Sequence, residues 1–214
     1  MKRFLLASLA ASALVAPSAA NAAFLVNYSN NFAIPQANDF RAPLTTLGQT
    51  RLTKMGTIML TSAATIAFEY LGSESGLVDR FTAGPVTGTE NNTNNFAAPV
   101  LLGSASFNAG VFAPTFTTSG NALVAVPGKD AFGILLGTLT ASAGSFNSNV
   151  LYFAFDDLVT GADDDYDDFI VRATISSVPN AVPEPTTWAM IMLGFGVVGY
   201  SLRSRGVAKP RSIA

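Results

Sequence analysis

The sequence predicts an all-β domain, an antiparallel β-sandwich or jelly roll, followed by one C-terminal transmembrane α-helix. Through the middle of the chain, short apolar segments alternate with Gly, Pro, Asn, Thr and Ser, which is typical of many short strands joined by turns. Several of these segments place apolar side chains at every second residue, the period of a half-buried strand. Long amphipathic helices are not visible, so the strands indicate two packed antiparallel sheets.

The chain begins with a predicted export signal. Two basic residues precede an apolar run from Phe4 to Val15, and the small-residue sequence Ala-Asn-Ala ends at Ala22. This order predicts a secretory signal peptide at residues 1–22, cleaved between Ala22 and Ala23. Because a twin-arginine pattern is missing, we expect the Sec translocon to pass the chain through the membrane unfolded.

Residues 23–181, which we call the passenger, form the predicted β-sandwich. Alternation is clearest where Ile66, Phe68 and Tyr70 share one face. The predicted strands are Phe24–Tyr28, Thr57–Leu60, Thr65–Tyr70, Val100–Phe107, Val111–Thr117, Ala122–Val126, Phe132–Leu139, Leu151–Phe155 and Phe169–Ile175. The polar stretches Asn30–Thr53 and Gly72–Phe96 are predicted to be long surface loops.

Composition excludes several classes of function. The segment from Ala23 to Pro185 holds 14 acidic and six basic residues, which gives it a net charge of about −8. A body of this charge repels phosphate backbones, so nucleic acid is not an expected partner. The chain has no Cys and no His, which excludes disulfides, thiolate chemistry and the commonest general base and metal ligand. An enzymatic role is therefore not expected.

The strongest chemical feature is an acidic segment between two predicted strands, Asp156–Asp168, which holds seven of the 14 acidic residues. Like charges at this density repel one another, so a folded segment needs counterions or hydrogen-bond donors. A hard divalent cation meets that need, and Ca²⁺ tolerates irregular oxygen geometry, which makes it the candidate cofactor. The candidate metal ligands are Asp156, Asp157, Asp163, Asp165, Asp167 and Asp168.

The acidic segment is not an EF-hand, and other interpretations remain open. Asp163, Asp165 and Asp167 match the first three alternate ligands of that loop, but Asp168 stands where it needs Gly and Thr174 where it needs Glu. One alternative is a solvated acidic turn that aids solubility and blocks pairing at a sheet edge. Another is the carboxylate pair of a glycoside hydrolase, which nothing in the sequence specifically supports.

The C-terminus carries an extended motif, an apolar helix and a basic end. Pro183, Glu184 and Pro185 form an exposed, extended segment that a processing enzyme can reach. An uncharged run of 15 residues begins at Trp188 and ends at Leu202. It predicts a membrane helix at about residues 187–202, although 15 residues of helix reach only about 22 Å. The arginines and lysine that follow predict that residues 206–214 stay cytoplasmic.

The motif Pro183-Glu184-Pro185-x-x-Trp188-Ala189, followed by an apolar helix and arginines, resembles the PEP-CTERM sorting tail in its PEPxxWA variant. The resemblance covers residues 182–205. It implies that an exosortase reads the tail at the inner membrane, cleaves near the motif, and releases the passenger or transfers it to the cell surface. Tails of this family are also labelled ice-binding protein C-terminal domains, a label that describes the tail and not the passenger.

The sequence therefore leads to three functional hypotheses. The first is a non-enzymatic surface or matrix protein, braced by calcium, that contributes to the envelope, biofilm or exopolysaccharide. The second is a calcium-dependent glycan-binding module, an adhesin or lectin-like domain. The third is a secreted glycoside hydrolase, which the missing His and Cys disfavour. In all three the protein is exported, held transiently in the inner membrane by its tail, and then located at the cell surface or outside the cell.

Overall fold

The computed structural model describes residues 21–119, 123–158, 164–177 and 185–205 of the chain. These residues form two compact units, the first within residues 1–178 and the second within residues 179–214. Except for its last two residues, the predicted signal peptide lies outside the described ranges.

The first unit consists almost entirely of strands, with one short helix. Its elements are β1 (Phe24–Ala33), α1 (Arg41–Thr46), β2 (Arg51–Leu60), β3 (Ala64–Gly72), β4 (Asp79–Ala83), β5 (Val86–Thr89), β6 (Val100–Phe107), β7 (Gly110–Val111), β8 (Thr115–Thr118), β9 (Val124–Ala125), β10 (Phe132–Leu135), β11 (Gly144–Ser148), β12 (Val150–Phe155) and β13 (Phe169–Ser177). The second unit contains α2 (Pro185–Arg205).

The strands form two antiparallel sheets. Among the described residues, the large sheet has nine strands, in the order β11-β1-β2-β10-β12-β13-β3-β6, with β7 also paired to β2. The small sheet has four, in the order β5-β4-β8-β9. Because β3 belongs to the large sheet and β4 to the small one, the short connection between them crosses from one sheet to the other.

Phenylalanine side chains fill the space between the two sheets. From the small sheet, Phe81 lies with its ring 5.3 Å from that of Phe68 in the large sheet. Phe116, also from the small sheet, stacks on Phe155 at 5.1 Å. All four side chains are fully buried, and aromatic contacts of this kind add to the free energy gained by removing apolar area from water. The two sheets therefore make one sandwich with a shared core.

The large sheet is covered on its other face as well. A second apolar cluster includes Leu44 of α1, Leu52 of β2, Leu71 of β3 and Ile170 of β13. Tyr166, from the acidic segment, is fully buried in the same cluster. Strands covered on both faces lose strict alternation, which explains why β13 begins with three consecutive buried apolar residues. The acidic segment is therefore attached to a part of the sheet that is covered on both faces.

The fold class predicted from the sequence is confirmed. The passenger is an antiparallel all-β sandwich, and a helix follows it at the C-terminus. Ile66, Phe68 and Tyr70 are buried together on one face of β3, as their alternation predicts. The predicted strand Val100–Phe107 has the same bounds as β6.

The two predicted long loops are wrong in large part. The first includes the end of β1, helix α1 and the start of β2. The second contains the hairpin of β4 and β5, which turns at Gly84, a residue whose φ of 57° suits glycine. The polar composition of the two segments does not show the apolar pattern of these strands and this helix. Their buried residues are few and are separated by Thr, Gly and charged side chains.

One predicted strand, Val111–Thr117, divides into two. Its first residue belongs to β7 in the large sheet, while Thr115 begins β8 in the small sheet. Pro114 lies between them and has no backbone N–H to donate to a ladder, so a continuous strand is interrupted at this point.

The second unit does not agree with the predicted transmembrane helix. Helix α2 includes residues 187–202, as expected, and its described side chains are exposed. Within the ranges that the structure describes, no helix is both long enough and apolar enough to cross a membrane.

Candidate metal centre

The acidic segment Asp156–Asp168 connects β12 to β13, which are antiparallel neighbours. Phe155 pairs with Phe169 at the ends of these strands, so the first and last acids of the segment meet at its base. There the backbone N–H of Asp168 donates to the carbonyl of Phe155 at 3.2 Å. The N–H of Asp157 donates to Oδ2 of Asp168 at 2.7 Å. The hairpin thus holds Asp157 and Asp168 side by side.

The chain before α1 fixes the second half of the segment. Tyr166 has a φ of 64°, unusual for a residue other than glycine, and its hydroxyl donates to the carbonyl of Asp130 at 2.5 Å. Nδ2 of Asn38 donates to the carbonyls of Asp165 and Tyr166, at 2.9 and 3.2 Å. The N–H of Asp39 donates to Oδ2 of Asp167 at 2.5 Å. These bonds orient the carboxylate of Asp167 between the segment and α1.

Two further acids reach the same place from the connection between β3 and β4. Asp79 is the first residue of β4, and Glu74 lies five residues before it. Between them, the hydroxyl of Ser75 donates to Oδ2 of Asp157 at 2.6 Å, which joins this connection to the acidic segment. Carboxylates about 80 residues apart in the sequence are therefore neighbours in space.

The carboxylates assemble into two groups that share one member. The first acidic group is Asp79, Asp157 and Asp168, and the second acidic group is Glu74, Asp167 and Asp168. Within each group, one carboxylate oxygen from every residue lies within 4.8 Å of the others. Three oxygens this close can all contact a single cation, so each group could hold a metal ion.

Burial makes these groups different from a surface acidic patch. Asp79, Asp157, Asp167 and Asp168 are each at most 6% exposed, while Glu74 is partly exposed. Neither carboxylate oxygen of Asp79 accepts a hydrogen bond from any residue that the structure describes, and the same holds for Oδ1 of Asp167. A buried carboxylate without a partner carries the full cost of its lost hydration. A bound cation would remove that cost, so the donor set fits a hard metal ion.

The electrostatics of the site agree with its geometry. Burial raises the pKa of Asp79 to about 6. The nearby hydroxyls of Thr118 and Ser75 lower it, without offsetting burial, and the charges of Asp157 and Glu90 add to the rise. Burial also raises the pKa of Asp168 to about 8, assisted by the charges of Asp157 and Asp79. These carboxyls therefore hold protons at pH values where ordinary aspartates are ionised.

Asp167 shows the same effect more strongly. Burial raises its pKa to about 9, and the neighbouring carboxyl of Asp165 and the charge of Glu74 add to the rise. The N–H donated by Asp39 lowers the pKa, although not enough to offset burial. Without a cation, protons have to neutralise this part of the cluster.

The structure brings together three of the six predicted ligands: Asp157, Asp167 and Asp168. Asp156 and Asp165 are buried nearby but belong to neither acidic group. Oδ1 of Asp156 accepts the N–H of Leu158 at 2.9 Å, and burial raises its pKa to about 7.

Two other acids of the segment differ from those buried ones. Asp163 lies outside the described residues. Asp164, which was not predicted as a ligand, is exposed and its Oδ2 lies 3.4 Å from Nζ of Lys54. A solvated turn therefore describes Asp164 but not its five buried neighbours.

The sequence analysis did not identify Glu74 and Asp79 as candidate ligands. Each is an isolated acid within a stretch predicted to be a surface loop. Predicting the strand that begins at Asp79 would have located this residue, because that strand places an isolated acid at the junction of the two sheets.

The residues of the export and sorting predictions lie at the ends of the described chain. The predicted cleavage site, between Ala22 and Ala23, lies directly before β1. Pro183 and Glu184 fall outside the described residues. The first residue of α2 is Pro185, and Trp188 and Ala189 are exposed on that helix.

Comparison with known proteins identifies the tail. The family model of the PEP-CTERM protein-sorting motif matches residues 181–205, which confirms the resemblance drawn from the Pro-Glu-Pro and tryptophan residues. No curated protein and no solved structure matches the chain significantly. The motif marks an exported protein with a membrane-linked tail that an exosortase processes, and the match does not extend to the passenger.

We predict that the metal-free protein becomes less stable as the pH rises from about 4 to about 9. In the unfolded chain the aspartates titrate near 3.8, whereas in the folded state Asp79, Asp168 and Asp167 have pKa values of about 6, 8 and 9. Between these limits the folded state binds more protons, so its free energy of unfolding falls with rising pH. Urea unfolding in chelator across this range measures the slope.

The Asp79→Asn variant serves as the internal control for this profile. It removes one of the titrating groups, so its profile should become shallower below about pH 6, where Asp167 and Asp168 still contribute, and should keep its slope above that pH. A wild-type profile that is flat or rises with pH in chelator would contradict the assignment of protons to the buried cluster.

Proposed function

We propose that this protein is an exported, non-enzymatic component of the bacterial cell surface or extracellular matrix, with a β-sandwich braced by calcium. The observation that carries the proposal is the fully buried carboxylate of Asp79, which accepts no hydrogen bond from a described residue and lies against Asp157 and Asp168. The sorting motif at residues 181–205 supports the location in this proposal, because it is a motif of exported proteins.

Charge repulsion explains why the cluster needs a cation. Two unit charges about 4 Å apart repel by about 4 kcal/mol at the effective dielectric constant of a protein surface, roughly 20. Each acidic group brings three carboxylates within 4.8 Å. Protons can neutralise them, as the raised pKa values of Asp79 and Asp168 indicate. A divalent cation replaces those protons, attracts all three carboxylates at once and so stabilises the folded state.

Calcium suits this donor set better than other metals. The ligands are carboxylate oxygens, which hard cations prefer, and the chain contains neither Cys nor His, which softer transition metals favour. Calcium accepts six to eight oxygens in irregular geometry. The ligands here come from β4, from the connection before it and from the β12–β13 hairpin, an arrangement without a regular loop repeat.

The positions of the acids support the non-enzymatic proposal. Asp79 and Asp168, whose pKa values are raised, are buried at the junction of two sheets. A general acid has to reach a substrate proton at hydrogen-bond distance. Burial of Asp79 and Asp168 disfavours direct contact with a substrate, whereas a small cation can be coordinated among them.

We predict that calcium raises the melting temperature of the full-length protein by about 5–10 °C relative to chelator. Binding to the folded state alone contributes about 2.7 kcal/mol at a hundredfold excess over Kd, and that converts to a shift of this size in a domain of about 150 residues. In the Asp79→Asn variant the shift should become clearly smaller, because a ligand of the first acidic group is lost. Differential scanning calorimetry measures both proteins.

The matched control is Asp164→Asn, which makes the same chemical change within the acidic segment. Asp164 is exposed, pairs with Lys54 and belongs to neither acidic group, so this variant should keep the calcium shift. If calcium stabilised neither the wild type nor the control, the brace would be refuted.

We also predict that the Pro-Glu-Pro motif is required for processing. Replacing Pro183, Glu184 and Pro185 with alanine should leave an uncut precursor in the membrane fraction of a host that has an exosortase. Replacing Pro179, a proline outside the motif, should leave processing unchanged. Immunoblots of membrane and secreted fractions measure the outcome, and normal processing of the triple variant would disprove recognition through this motif.

A second candidate function is calcium-dependent glycan binding, which a surface cavity beside the metal centre favours. The cavity has a volume of about 570 Å³ and is lined by Asn38, Asp39, Arg41, Ala42 and Thr45. The backbone of Asp39 contacts Asp167, so the cavity adjoins the second acidic group. Arg41 is exposed at the wall of this cavity and supplies a charged hydrogen-bond donor for a sugar.

A glycan array probed with calcium and with chelator distinguishes the two candidate functions. Exopolysaccharide fragments should bind only when calcium is present, and Arg41→Ala should weaken that binding at least tenfold, because the variant loses a charged donor at the cavity wall. Lys129→Ala removes an exposed charge elsewhere and should leave binding unchanged. An array without calcium-dependent binding would leave the purely architectural role.

A further inference from the structure

The two acidic groups offer more carboxylates than one divalent cation neutralises. Together they contain five carboxylates: Glu74, Asp79, Asp157, Asp167 and Asp168. A single Ca²⁺ would leave a net charge of −3 in a largely buried volume, whereas two would leave −1. Burial makes excess charge costly, so the second neutralisation is favoured once the first cation has bound.

Asp168 is the only residue common to the two acidic groups, and its position suits a bridge. It follows directly after Asp167 of the second group and accepts the backbone N–H of Asp157 of the first group. A carboxylate has two oxygens, so it can contact one cation with each. Paired metal sites in proteins commonly place their ions about 3.5–4 Å apart, a spacing that one shared carboxylate can bridge.

Each group also has its own buried oxygen without a partner. In the first group, both carboxylate oxygens of Asp79 accept no hydrogen bond from the described residues. In the second group, Oδ1 of Asp167 is likewise without a donor among the described residues, while its Oδ2 is held by the N–H of Asp39. A cation in the first group alone would not account for the buried oxygen of the second. The two observations are independent and each indicates a ligand.

We infer that the centre binds two divalent cations, one in each acidic group, with Asp168 shared between them. The inference rests on the proposed calcium brace and specifies how many ions form it and where they lie. The first position lies among three buried residues, Asp79, Asp157 and Asp168. The second position includes the partly exposed Glu74 and is therefore the one that exchanges more readily with solvent.

The test is calcium stoichiometry of the full-length protein, measured by isothermal titration calorimetry and by metal analysis after gel filtration. The wild type should bind two equivalents. Asp79→Asn and Glu74→Gln should each bind one, because each removes a ligand from one group only. Asp164→Asn, which changes neither group, should still bind two.

The variants also distinguish this inference from the brace itself. Glu74 is partly exposed, so Glu74→Gln should fold normally even if Asp79→Asn unfolds, which circular dichroism checks. A wild type that binds one equivalent and is stabilised by it would overturn the two-ion assignment and leave the brace intact. A wild type that binds no calcium would overturn both.

Discussion

The placement of like charges in a buried junction is the constraint on which much of this structure depends. Asp79 begins β4 in the small sheet, while Asp157 and Asp168 flank β12 and β13 in the large sheet. These carboxylates meet where the chain crosses between sheets, so their neutralisation affects the stability of this edge. Protons can neutralise them, since burial raises the pKa of Asp168 to about 8, and under the proposed calcium assignment a cation would compete with those protons.

The aromatic core and the acidic centre hold the sandwich in different ways. Contacts such as that between Phe68 and Phe81 attract the sheets by burying apolar area, without regard to pH or ions. The acidic centre repels unless it is neutralised, and under the proposed calcium assignment a cation would link Asp79 to the β12–β13 hairpin. In that case the core would stabilise the domain regardless of pH and ions, whereas the stability of this edge would depend on the solution.

The sequence predicted features with a local origin and missed those created by tertiary contact. The apolar residues Ile66, Phe68 and Tyr70 alternate with less buried ones, and this pattern correctly predicted a strand with one buried face, β3. The density of aspartates between Asp156 and Asp168 indicated a cation site, because seven acids in one short segment repel one another. Asp79 has no acidic neighbour in the sequence. Only the pairing of β4 with β8, and the crossing from β3, brings it to the cluster.

The order of the chain connects the metal centre to export. In a chain that crosses the membrane unfolded, every carboxylate is hydrated and ionised at neutral pH, and water weakens the repulsion between them. Folding then moves Asp79 and Asp168 out of water, and that step requires protons or cations from the receiving side. All five carboxylates of the two acidic groups precede the sorting motif at residues 181–205. The passenger can therefore complete its centre, under the proposed calcium assignment, before the exosortase acts on the tail.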